Sequence, residues 1–145
     1  MNVNTYAKLW CKIAREFFNN IEWAMEPIMI SHNRVFSLSS ELLDMPNHQV
    51  NGTICMSRTA FDKKFRGVTP TDYIHCNGGF TEVNLCIPGG TYVRATYQFG
   101  TNPFSRAKGT MVAMRKILSQ TVSGREYMNQ IDNLVSKELS KSKAA

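Results

Sequence analysis

Between residues 5 and 25 the apolar positions recur at intervals of three and four, at Tyr6, Trp10, Ile13, Phe17, Ile21 and Ala24, while Lys8, Lys12, Arg15, Glu16, Asn19 and Glu22 fall mostly elsewhere on the wheel. That period is the apolar stripe of an amphipathic helix. Asn4 or Thr5 is placed to cap its free amides. Pro27 stops it, because proline disfavours helical geometry at Glu26 and has no amide to donate.

From Ile28 to Gly100 the period shifts toward two, and Asn33-Arg34, Asn51-Gly52, Asn77-Gly78-Gly79 and Pro88-Gly89-Gly90 read as turns. Strands are expected at residues 28–31, 34–38 and 53–57, with short helical turns at 40–44 and 59–65. The clearest pair is an antiparallel hairpin of residues 80–87 and 91–99, joined by Pro88-Gly89-Gly90. On it Thr81, Val83, Leu85, Ile87, Val93, Ala95, Tyr97 and Phe99 form a packing face. Phe80, Glu82, Asn84, Cys86, Tyr92, Arg94, Thr96 and Gln98 form a polar one.

After Gly100 the helical period returns, through Ala107, Met111, Met114 and Leu118 and then Tyr127, Ile131, Leu134 and Leu139. Ser123-Gly124-Arg125-Glu126 has the form of a capping box and divides this stretch into two helices. The fold class is therefore α+β: an N-terminal amphipathic helix, a central antiparallel sheet of about four to six strands with a C-terminal hairpin, then two C-terminal helices. Residues 1–139 form a single domain, and 140–145, which lack an apolar face, a frayed basic tail.

Composition adds the setting. No window approaches the ~18 uninterrupted apolar residues of a membrane span, and Met1-Asn2-Val3-Asn4-Thr5 is no secretory start, so a soluble, cytoplasmic protein with no membrane partner is expected. Cys11, Cys55, Cys76 and Cys86 are widely spread and form no C-x-x-C, as expected of four free thiols. The net charge of +6 is concentrated: from Arg106 onward eight basic residues face three acids. Arg58, Lys63, Lys64 and Arg66 make a smaller cluster, diluted by Asp62. Such a balance suits an anionic partner.

The segment that carries most chemistry leaves the second hairpin strand and enters a helix. Asn102 as N-cap with Pro103 at the first helical position leaves the following amides as free donors. With the helix dipole, Ser105, Arg106 and Lys108 these would hold a phosphate or carboxylate. The order Lys108-Gly109-Thr110 is not that of a phosphate-binding P-loop. Arg94, eight residues before Asn102, is expected to converge with Arg106 on one anion if the helix folds beside the polar hairpin face. The ordinary alternatives are a capped helix with solvated cations and a cross-strand Arg94–Glu82 pair.

His32, His48 and His75 supply the only neutral-pH acid–base groups, with no motif fixing their geometry. His75, Cys76 and Cys86 lack the fourth ligand and tight spacing of a zinc site. No catalytic residue, metal or cofactor is implied. Three functions are therefore ranked. The first is a small non-enzymatic binding protein for a phosphate-bearing ligand, nucleotide or nucleic acid. The second is an interaction or inhibitor protein that blocks a host factor, as small accessory proteins of viruses and mobile elements do. The third is a histidine-dependent nuclease or phosphoesterase.

Overall fold

The computed structural model describes residues 2–19, 29–38, 53–65, 73–87 and 91–144. In chain order these form helix α1 (Val3–Asn19), strands β1 (Met29–Leu38) and β2 (Thr53–Ser57), the short helix α2 (Arg58–Lys64), strands β3 (Tyr73–Ile87) and β4 (Thr91–Gln98), and helices α3 (Arg106–Leu118) and α4 (Val122–Ala144). The expected α+β class holds, with one antiparallel sheet of order β2-β1-β3-β4. Among the described residues no helix is long and apolar enough to cross a membrane.

The alternation in the hairpin decides which side of the sheet is covered. Thr81, Val83 and Leu85 are buried, and Tyr97, Ala95 and Val93 stand opposite them across the ladder. α3 lies on this face against β3 and β4, and α1 and α4 pack on α3. Ala7, Trp10, Ile13, Ala14 and Phe18 of α1 meet Met111, Met114, Ile117 and Leu118 of α3 and Ile131 and Val135 of α4 in one apolar core. Asp132 ties the three helices together: its Oδ1 accepts from Trp10 Nε1 at 2.9 Å and from Arg115 Nη1 at 2.6 Å. A smaller core lies under α2, where Phe61 stacks on Phe36 with ring centroids 4.1 Å apart and Phe65, Ile54 and Met56 close around them. Cys11, Cys55 and Cys76 are free thiols, as expected.

Several local expectations are corrected. Asn33-Arg34 is no turn, and β1 runs through it, because both residues are paired to β2 without a break. Asn77-Gly78-Gly79 is no turn either: it lies inside β3, where residues 77–79 stand opposite Arg34 alone and form a bulge. Gly78 and Gly79 take φ of 97° and 92°, a region that L side chains rarely enter. A Cβ at Gly79 would also run into the Asn33 carbonyl oxygen. Turn-forming residues in a strand thus mark a bulge when the strands on either side continue.

The caps also differ. α1 starts at Val3 and is capped by Asn2, whose Oδ1 accepts from Thr5 N at 2.8 Å, so neither Asn4 nor Thr5 has that role. Asn102 and Pro103 precede α3 in a turn, and the N-cap is Ser105, whose Oγ accepts from Lys108 N at 3.2 Å. α4 starts at Val122 with Thr121 Oγ1 accepting from Gly124 N at 2.9 Å, so the Ser123–Glu126 box does not cap it. Helical backbone then continues through residues 140–144. The expected features at Pro27, 40–44, Asn51-Gly52, Arg66 and Pro88-Gly89-Gly90 lie outside the described residues.

Gly79→Ala combines the left-handed backbone penalty of ~1–2 kcal/mol with the clash at Asn33, so urea unfolding should show a loss of about 3 kcal/mol. An unchanged midpoint would mean that the bulge is not rigid.

Candidate functional site

The bulge determines where the chain goes after β4. Gly78 N donates to Asn102 O at 2.9 Å, Phe99 N to Gly79 O at 3.0 Å, and Asn77 Nδ2 to Thr101 O at 3.0 Å. Residues 99–102 are thereby held against β3, and α3 starts over the middle of the sheet. Gly109 lets it sit close, since a Cβ there would meet Thr81 Oγ1 and the Phe99 ring.

Beside this helix start lies a cleft of about 630 Å³, walled by Asn4, Lys8, Cys11, Lys12 and Arg15 of α1, Ile30 and His32 of β1, and Phe104, Ser105, Arg106, Ala107 and Thr110. Its size falls in the ~300–1,000 Å³ range of small-molecule sites. Among the described residues its walls hold four cations and no carboxylate. The ion pairs formed elsewhere take up Arg58 with Asp62, Arg94 with Glu82, Arg115 with Asp132, and Lys141 with Glu138. Among the described residues none is made by Lys8, Lys12, Arg15 or Arg106. Arg34, just beyond the cleft, sits with its guanidinium 5.0 Å from the Phe104 centroid, and its Nε is buried without a hydrogen-bond partner.

The remaining walls are neutral. His32 is half-buried, with Nδ1 2.9 Å from Thr81 Oγ1 and its ring edge-on to Phe104 at 5.8 Å. Burial, then the nearby Arg106, holds its pKa below the ordinary 6.5. Cys11 donates to Ala107 O at 3.4 Å, and burial, only partly offset by Arg15 and a Met111 backbone contact, pushes its thiol up to about 11. It is therefore a protonated thiol, not a nucleophile.

The residues singled out from sequence are divided by this geometry. Ser105 and Arg106 line the cleft. Lys108 points to the other side of α3, with Nζ 5.4 Å from the Tyr97 centroid. Asn102 lies in the turn held by the bulge. Arg94 is apart from all of them, on the sheet face turned away from α3: Val93 and Ala95 pack into the helical core, and Arg94 is exposed, 3.7 Å from Glu82. Arg94 and Arg106 are thus not brought together. His75 lies beside Phe36, four β1 positions from His32 and so roughly 13 Å along the strand, and the two histidines do not converge. His48 lies outside the described residues. The α1 cations were the missed half of the site. Their spacing of four and three is a one-sided basic stripe, visible in the sequence, but its docking beside α3 is a long-range fact.

No protein family, curated protein or solved structure matches the chain.

In the free protein the His32 ring should titrate below 6.5 by proton NMR, and Arg106→Gln should raise its midpoint by removing a like charge. Because the unfolded chain binds this proton more tightly, His32 lowers stability as pH falls through about 6.5. A midpoint unmoved by Arg106→Gln would place the guanidinium elsewhere.

Proposed function

We propose that this chain is a non-enzymatic binding protein for a phosphate-bearing ligand, held between α1, β1 and the start of α3. The observation that carries this reading is the gathering of Lys8, Lys12, Arg15 and Arg106 around one cleft with no carboxylate among the described residues of its walls. Among the described residues the ion pairs neutralise cations elsewhere. Like charges collected without counter-charge repel one another, and an anion relieves that repulsion.

Each wall has a role. Arg106 stands at the N-terminus of the 13-residue α3, where the helix dipole also favours negative charge. Ser105 Oγ already accepts from the Lys108 amide, so its O–H is left to donate to a ligand oxygen. Ile30, 40% exposed, and Phe104 supply apolar surface for a base or sugar. Described walls that hold a protonated thiol, a histidine bonded to a threonine and no carboxylate suit binding better than hydrolysis.

Calorimetry with ATP, inorganic triphosphate and octathymidylate at low salt tests the reading. At least one should bind, with affinity falling as salt rises. Lys12→Gln/Arg15→Gln should weaken binding about 100-fold, at roughly 1.5 kcal/mol or more for each charge-assisted contact. The charge-matched Lys63→Gln/Lys64→Gln on α2 should leave it unchanged. No binding by any of the three, or equal losses in both variants, would contradict the site.

A further inference from the structure

The cations and rings around the start of α3 extend beyond what one nucleotide would use. On α1, Lys8 and Arg15 are seven residues apart, about 10.5 Å of helix at ~1.5 Å per residue. That is a length over which a stacked nucleic-acid strand presents about three phosphates, at ~3.4 Å each. From the cleft a row of rings continues under α3: His32 to Phe104 at 5.8 Å, Phe104 to Phe99 at 4.7 Å, and Phe99 to Tyr97 at 4.8 Å. Phe99 is buried, whereas Phe104 and Tyr97 keep partly open surfaces. At the far end the Tyr97 ring has two ammonium groups beside it, Lys108 at 5.4 Å and Lys116 at 5.9 Å. Neither lysine has a carboxylate partner among the described residues, and Lys116 also donates to Thr96 O at 2.9 Å.

We infer that the ligand is a single strand of nucleic acid, which fills the α1–α3 cleft and continues across the start of α3 to Tyr97, Lys108 and Lys116. The inference rests on the phosphate-binding reading of the cleft and names its ligand. Cations spaced along a path, with partly open rings between them, match a chain of alternating phosphates and bases. A mononucleotide would leave Lys108 and Lys116 unused. A duplex, with its bases already paired, has no free base for the apolar wall of Ile30 and Phe104.

Fluorescence anisotropy of a labelled octathymidylate, competed by dTMP, ATP, oligothymidylates of two, four and eight nucleotides and an eight-base-pair duplex, tests this. Affinity should rise at least tenfold from the dinucleotide to the octamer, exceed that for ATP and the duplex, and fall with log salt at about −0.7 per cation engaged. Lys108→Gln/Lys116→Gln should lower octamer affinity about tenfold and flatten the length dependence, with urea unfolding confirming that the variant is folded. If ATP competes as well as the octamer, or the duplex competes better, the strand is wrong and the phosphate cleft stands. If nothing binds at low salt, both are wrong.

Discussion

The arrangement of the site depends on the two-glycine bulge in β3. At that point the long central strand stops matching β1 residue for residue, and the amide and carbonyl released from the ladder are taken up by the chain leaving β4. Buried backbone polar groups need partners, so a bulge of this kind recruits a neighbouring segment. Here the recruited segment is the 99–102 turn, and its position determines where Ser105 can cap α3. Gly109 and Thr81 then set how close the helix lies to the sheet. The bulge needs left-handed backbone at Gly78 and Gly79, which ties two adjacent glycines in a strand to the helix start at Arg106.

The same fold sorts its charges. Where cations are needed for structure they are paired: Arg115 meets Asp132 between three helices, and Arg58 meets Asp62 along α2. Around the cleft, among the described residues, they are not. Burial there is partial, which lowers the His32 pKa and raises that of Cys11 without producing a reactive group. A bound anion would reverse the sign of the field at His32 and favour its protonation, so affinity should strengthen as the pH falls toward that group's range. Repulsion in the empty cleft and attraction in the filled one are two sides of the same electrostatic arrangement.

Much of the fold follows from short-range pattern. The hairpin faces are set by strict alternation, and α1, α2 and the two final helices by their periods, because each depends on residues within a few positions of one another. The continuity of β1 through Asn33-Arg34 is different, since it depends on β2 and β3 pairing on both sides. The caps moved by two or three residues for a related reason: Ser105 displaces Asn102 because the Asn102 carbonyl is held by Gly78 and cannot open a helix. For the site, Ser105 and Arg106 were identifiable as polar groups at a helix start. Strand alternation turns Arg94 away from α3, and Lys8, Lys12 and Arg15 stand in the sequence only as residues off the apolar stripe of α1. Only the packing of α1 against α3 makes them one wall of a cleft.

The most direct test of the account is amide chemical-shift mapping by NMR during a titration with ATP or octathymidylate. The perturbed amides should cluster at Lys8, Lys12, Arg15, His32, Ser105, Arg106 and Ala107, while Glu82 and Arg94 on the opposite face of the sheet stay unmoved. Perturbations centred on Glu82 and Arg94, with the α1 and α3 amides silent, would contradict it.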